Sequence, residues 1–431
     1  MNHLKSICLF TVAGSSLVAG SAAAQGQGSD NYYSRNKYEA VMDRRQPAFD
    51  PEPIRLGAFS VNATGLVGVT SNSNVYAQEN NEESDVIARV GGEVSGSTNW
   101  SVHELGFDVA AYHNEYLDLS DESADDLHAN LRGRLDVRRD FSLGARVFAD
   151  KGVEPRYSPA DLGGLEKPIE FTRSGAELQA DYTNDRVRWN NSVGITDSNY
   201  KDGRIVGTGA IADEDFRDRQ STWGRSRLSY AVTPDFAVFA QGTVEDQAYD
   251  TEEVIDGLAR SRDSLGYTLS AGADFELTAL VRGDIAVGYL NEEKDDDFFS
   301  DVDGLSVDGR LQWFPTRLTT VTFSGGRRAT DMGILTSPSS VTTNFNARVD
   351  HELRRNIILS AEAGITKSEY QEIDRTDDMP SFGVSAQYKM NKRVRLDAFA
   401  RHLHMDSSGA DKPFVSSYGI NLIGLELRLH P

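Results

Sequence analysis

Residues 263–291 constrain the fold of this 431-residue chain more tightly than any other stretch. Leu265, Tyr267, Leu269, Ala271, Ala273, Phe275 and Leu277 occupy every second position, with Gly266, Thr268, Ser270, Gly272, Asp274 and Glu276 between them. After 278–280 the alternation resumes, with Val281, Gly283, Ile285, Val287 and Tyr289 set against Arg282, Asp284, Ala286 and Gly288. A period of two puts successive side chains on opposite faces of an extended strand, so each half has one apolar and one polar face. Two such strands joined by a tight connection read as a hairpin. Both are longer than the roughly five or six residues usual in a globular sheet, and they reach the roughly 9–11 that a tilted strand needs to cross a bilayer.

The unit recurs along the chain. Short connections at 96–100, 138–141, 183–186, 232–236, 277–281, 314–317, 353–356 and 390–393 carry turn dipeptides such as Thr-Asn, Asn-Asp, Pro-Asp and Pro-Thr. Between them lie longer, polar, mostly acidic connections near 71–85, 114–126, 150–168, 197–215, 245–263, 291–303, 328–339, 367–380 and 404–413. The repeat of roughly 40 residues is shared by propellers, but a propeller blade needs four short strands and this unit holds two long ones. The expected fold class is all-β: a transmembrane, antiparallel, up-and-down β-barrel of about 18 strands, with short periplasmic turns and long acidic extracellular loops. An even strand number returns both ends of the barrel to the periplasmic side.

Composition agrees with that class. A formal charge of −22 excludes a general nucleic-acid binder, which needs a basic surface. Mean hydropathy is negative, which a barrel tolerates because only alternate residues meet lipid. Residues 1–24 read as a signal peptide, with Lys5 ahead of an apolar run over 7–20 and Ala22-Ala23-Ala24 as the cleavage site. Cys8, the only cysteine, falls inside that run, so the mature chain is expected to contain no thiol. Residues 25–56 are polar and hold Arg44-Arg45-Gln46-Pro47 and Pro51-Glu52-Pro53. They read as a periplasmic N-terminal segment, a flexible linker rather than a docking or plug element, and 57–431 reads as the barrel. The expected location is the outer membrane, with its lipid as the surrounding partner.

The alternation assigns faces. Leu127, Ala129, Leu131, Gly133, Leu135 and Val137 are expected to face lipid, and His128, Asn130, Arg132, Arg134, Asp136 and Arg138 the lumen. By the same rule Arg146, Arg282, Asp284, Arg310, Arg348 and Asp350 join Arg132 and Arg134 as pore-lining candidates. Both signs are interleaved, which suits mutual pairing in a wet interior as well as contact with cargo. Trp100, Phe141, Trp189, Tyr230, Phe236, Phe275 and Trp313 gather beside the short turns, as an interfacial aromatic girdle does.

Signs of catalysis are weak. His402 and His404 share one strand face, but a third metal ligand at a fitting spacing is not evident. His404, Asp406 and Ser407 are close in sequence without a motif that activates Ser407. The acidic loops match no defined calcium-loop spacing and read as solvated. A non-enzymatic protein without cofactor or metal is expected.

Several short motifs occur in order: Arg55-Leu56-Gly57-Ala58-Phe59, Asn72-Ser73-Asn74-Val75-Tyr76, Arg156-Tyr157-Ser158-Pro159, Glu166-Lys167-Pro168-Ile169-Glu170-Phe171 and Asp218-Arg219. Together they resemble the putative β-barrel porin type 2 family of bacterial outer-membrane proteins, over roughly residues 44–431. The last strand, with Leu425, Leu427 and Leu429, departs from the aromatic ending usual in such barrels by closing on His430-Pro431. Family members are often linked to exopolysaccharide or capsule export. The resemblance therefore implies a passage for an extracellular polysaccharide, with periplasmic polysaccharide-export components as partners. A general diffusion porin, a closed structural or docking barrel and an outer-membrane hydrolase are the competing functions.

Overall fold

The computed structural model describes residues 39–431 other than 162, 279, 336 and 414. The expected signal peptide lies outside the described residues, as does the first part of the N-terminal segment. The alternating stretches form eighteen long strands. They are β1 (Phe59–Asn72), β2 (Asp85–Thr98), β3 (Glu104–Tyr116), β4 (Ala124–Arg138), β5 (Phe141–Val153) and β6 (Glu170–Asn184). Next come β7 (Val187–Tyr200), β8 (Arg219–Thr233), β9 (Phe236–Tyr249), β10 (Ser264–Leu277), β11 (Val281–Lys294) and β12 (Val302–Thr316). The last six are β13 (Thr319–Ile334), β14 (Ser337–Arg354), β15 (Ile357–Tyr370), β16 (Thr376–Asn391), β17 (Val394–Ser408) and β18 (Ser417–Leu429).

Each strand pairs antiparallel with its neighbours in sequence, and β1 pairs with β18 to close the ring. The closing ladder runs from Gly65 opposite Leu429 to Asn72 opposite Leu422. Below it β1 would present a bare edge. That edge is taken by Ile54–Leu56, which folds back at Gly57, whose positive φ of 60° suits a residue without a side chain. The β10–β11 hairpin holds its register without a shift from Ser264 opposite Lys294 to Leu277 opposite Val281.

Burial is inverted relative to a water-soluble protein. Leu178, Leu269 and Ile423 are each 62% exposed, whereas Asp274, Asp350, Asp397 and Arg428 are buried. An apolar outer band around a polar interior is what a lipid-embedded barrel requires. Trp100, Trp189, Tyr230 and Trp313 stand exposed at the short-turn end. Inside, Gly272 lies under the Phe239 ring, where an added Cβ would sit 2.3 Å from the ring edge. That glycine lets the aromatic ring lie against the wall instead of filling the lumen.

The connections differ from expectation at the long-loop end. In place of the loop expected over 328–339, β13 runs on to Ile334 and β14 begins at Ser337, and the loop over 367–380 shrinks to residues 371–375. Past the apolar band both strand faces are polar, so the alternation fades while the hydrogen-bond ladder continues. Asn291 still pairs with Tyr267 and with Asp303, beyond the point where side-chain pattern marks a strand.

Ala271 points out and Ser270 in, at mid-strand. A lysine at Ala271 is expected to cost roughly 2–4 kcal/mol in a bilayer. The same change at Ser270 should cost much less, as measured by urea titration of the folded barrel in lipid vesicles. Equal costs would mean the faces are misassigned.

Candidate functional site

The lumen is lined by side chains that answer one another. Arg132 pairs with Asp108 at 2.9 Å, and His128 bridges Asp108 at 2.9 Å and Asp150 at 2.5 Å. Arg146 donates through Nε to Asn130 Oδ1 at 2.7 Å. Arg134 pairs with Asp136 at 3.0 Å near the short-turn end. Arg282 donates to Gln312 Oε1 at 2.8 Å, and Asp284 lies opposite Arg310 in register. Arg348 pairs with Asp350 at 2.9 Å and reaches Glu362 at 3.5 Å. All eight pore-lining candidates from the sequence thus lie on the inner face. Arg227 pairs with Asp274 at 2.7 Å while lying 3.5 Å over the Phe239 ring. Hydroxyl and amide groups fill much of the remainder: Thr243, Gln241, Thr268 and Ser270 border a cavity of about 360 Å³ against this wall.

The long-loop mouth is crossed by folded-in chain that the sequence pattern did not reveal. Residues 154–169 leave β5, and Tyr157 packs against Met405, Tyr418 and Ile420 on β17 and β18, with Ala77. The Tyr418 hydroxyl donates to the Tyr157 carbonyl at 3.1 Å. Arg156 grips Glu122 with two hydrogen bonds, of 2.9 and 2.5 Å, and Asp161 lies 3.5 Å away. Burial lifts the Asp161 carboxyl above its ordinary range despite that guanidinium. Residues 201–218 add a second bar: Arg217 binds Glu154 at 2.9 and 2.5 Å and Glu214 at 3.0 Å. A third link crosses to β13. Asp331 accepts from Tyr249 at 2.6 Å and pairs with Arg219 at 2.9 Å and with the fully buried Arg262 at 3.4 Å.

Four of the five sequence motifs place residues in this roof. Asn74 is fully buried and donates to the carbonyls of Gln78 and Gly419. Tyr76 lies under the Arg156 guanidinium, 5.7 Å from its ring centre. Ile169 packs with Leu165, Tyr200 and Ala212. Asp218 accepts from the Tyr200 amide at 2.7 Å. The motifs were the one signal in the sequence that could have located the roof.

The short-turn mouth is occupied by residues 39–50, where a flexible linker was expected. Two tight turns, with Arg44 N donating to Ala40 O and Asp50 N to Gln46 O, compact the segment. Val41 is 1% exposed, and its amide donates to Thr320 Oγ1 at 3.0 Å. Arg44 pairs with Glu352 at 2.6 Å, and Asp50 with Lys389 at 2.7 Å. Met42 shares a lumenal cavity with Arg348, Glu362 and Arg401, while Glu39 and Asp43 act electrostatically on Arg282 on β11. The segment therefore reaches from the β11 wall toward β17. Short sequence spacing gives no hint of this, because every partner is more than two hundred residues away.

The candidates for catalysis are not brought together. The inner positions of β17 are Arg395, Asp397, Phe399, Arg401, Met405 and Ser407, so His402, His404 and Asp406 lie on the other face from Ser407. Ser407 donates to Asp377 at 2.6 Å. The His402 and His404 rings stack with centres 6.5 Å apart, and His402 hydrogen-bonds Asn421 at 2.9 Å.

A closed ring of eighteen antiparallel strands, apolar outside and charged within, defines a porin-like β-barrel. The chain belongs to the family described as Putative beta-barrel porin 2, which it matches over residues 46–430. Among solved structures it is similar to the copper transporter OprC, at 11% identity and a TM-score of 0.47, covering 88% of this chain and 82% of that one. It is also similar to OccAB3 of Acinetobacter baumannii, at 10% identity and a TM-score of 0.46, covering 87% of this chain and 100% of that one. OccK11 (OpdR) of Pseudomonas aeruginosa shows 12% identity and a TM-score of 0.45, covering 89% of this chain and 98% of that one. No curated protein matches.

Replacing Asp331 by alanine would leave Arg219 and Arg262 buried without their shared carboxylate. The loss of one partner from a buried ionic group costs about 3–5 kcal/mol. The urea midpoint of Asp331→Ala is expected to fall accordingly, and an unchanged midpoint would mean that the third link does not hold the roof.

Proposed function

We propose that this chain is an outer-membrane barrel whose lumen is the exit path for an extracellular polysaccharide. The observation that carries the reading is the inner wall, where hydroxyls and amides stand among charges of both signs, several of them paired with one another. A hydrated sugar chain is held by many weak hydrogen bonds, and such a wall offers them along the lumen without trapping the chain. The barrel is wide enough to need no side-chain filling, since sixteen to eighteen strands enclose an aqueous space in porins. On this reading the short turns and residues 39–50 face the periplasm, the folded-in loops face outward, and periplasmic export components deliver the chain. The resemblance of the motifs to a family associated with exopolysaccharide export supports the choice of cargo.

A general diffusion porin is the second reading, favoured by the interleaving of lumenal charges, which gives little discrimination between small ions. Deleting the gene separates the two. Export predicts loss of surface glycan with unchanged uptake of small nutrients, and fractionation should find the mature chain in the outer membrane. Intact surface glycan together with reduced small-solute permeability would reject export in favour of diffusion.

A further inference from the structure

The two mouths are narrowed by contacts of different strength. At the long-loop mouth the ionic groups are almost wholly removed from water: side-chain exposure is 6% and 2% for Arg156 and Glu122, and 4% and 10% for Arg217 and Glu154. Tyr157 adds an apolar anchor on the far wall. Breaking such pairs leaves buried charges unpaired, so these bars hold their place and narrow the mouth without sealing it. At the short-turn mouth the ties are wetter. Side-chain exposure is 26% and 8% for Arg44 and Glu352, 15% and 25% for Lys389 and Asp50, and 43% and 76% for Lys392 and Glu52. Pairs in contact with water contribute little individually and are screened by salt. Gln46 is buried there with neither amide atom hydrogen-bonded, a defect that favours release.

Residues 39–50 are also tethered to the barrel at one end only among the described residues, through 51–58 into β1. When the ties at Thr320, Glu352 and Lys389 let go, the segment can turn about its link through 51–58, and the residues it uncovers are lumenal. A loop anchored at both ends, as 154–169 is between β5 and β6, has no such freedom.

Resting on the reading of the lumen as a passage, we propose that residues 39–50 form a displaceable gate over the periplasmic mouth, held by Arg44–Glu352, Asp50–Lys389 and the Val41–Thr320 contact, while the loop over 154–169 is a fixed constriction. Export through such a device starts at the gate. A polymer, or the protein that delivers it, enters from the side on which the segment is seated and displaces its weak ties one by one.

The experiment is single-channel recording of the full-length mature chain in planar bilayers, beside four variants. These are a deletion of 39–50, the double charge reversal Arg44→Glu with Lys389→Glu, the double cysteine Val41→Cys with Thr320→Cys, and the deletion combined with removal of 155–168. The mature chain is expected to hold no other thiol, so the third variant cross-links at the gate alone. Heat-modifiable migration on gels checks that each has folded. The proposal expects a several-fold rise in open probability or conductance for the deletion and the reversal. It expects higher salt to raise opening of the unmodified chain, and it expects the oxidised double cysteine to stay closed until a thiol reductant is added. If the unmodified chain, the deletion and the oxidised double cysteine all conduct alike, the gate is refuted and the passage stands. If no variant conducts, including one that combines the deletion with removal of residues 155–168, the passage itself is refuted and the gate with it.

Discussion

Closure of the hydrogen-bond ladder between β1 and β18 is the constraint on which the rest depends. In hydrocarbon an unpaired backbone N–H or C=O has no water to turn to, so a spanning sheet has to leave no edge. Eight register pairs from Gly65–Leu429 to Asn72–Leu422 join the two ends of the chain. The short strand Ile54–Leu56 pairs with Phe59–Val61, at the start of the part of β1 that β18 does not reach. Once the ring is closed the period-two alternation has only one consistent outcome: apolar residues outside, as at Leu269, and polar ones inside, as at Ser270. The lumen and its charges follow from the closure and are not a separate design.

Local pattern was enough for the parts that repeat. The β10–β11 hairpin is legible because every position obeys the two-residue period, and the inward placement of Arg132, Arg146, Arg282 and Arg348 follows from counting along the strand. The ends of strands were harder. Asn291, Glu292 and Asp303 look like loop residues, since above the apolar band both faces meet polar surroundings, and only pairing with a neighbouring strand shows that they belong to the ladder. The hydroxyl-rich start of β14 reads as loop for the same reason, yet Ser337 and Ser339 are buried and their hydroxyls donate to Glu372 and Glu292.

What closes the mouths was legible only in part, because it is made of contacts between residues far apart in sequence. Tyr157 with Tyr418, and Asp331 with Arg219, have no local signature. The Arg-Tyr-Ser-Pro and Asp-Arg motifs marked positions without showing what they do. Their side chains turn out to tie the roof, which gives a physical reason for residue types that strand pattern alone does not ask for. Residues 39–50 are the clearest departure. Their polarity and Pro47 suit a solvated linker, yet Val41 is buried against Thr320 and Arg44 reaches Glu352. Polar composition reads as solvated chain when the surface that receives it is itself polar, and the lumen of a barrel is such a surface.

The account stands on the assignment of the two faces of the wall, and cysteine accessibility along β10 in native membranes tests it most directly. Single cysteines at 265–271 would be reacted with a small water-soluble, membrane-impermeant thiol reagent and, separately, with a lipid-soluble one. Strict alternation is expected: 266, 268 and 270 react with the water-soluble reagent, and 265, 267, 269 and 271 with the lipid-soluble one. Labelling that is uniform along the strand, or that alternates in the opposite phase, would contradict a water-filled barrel with this inner face.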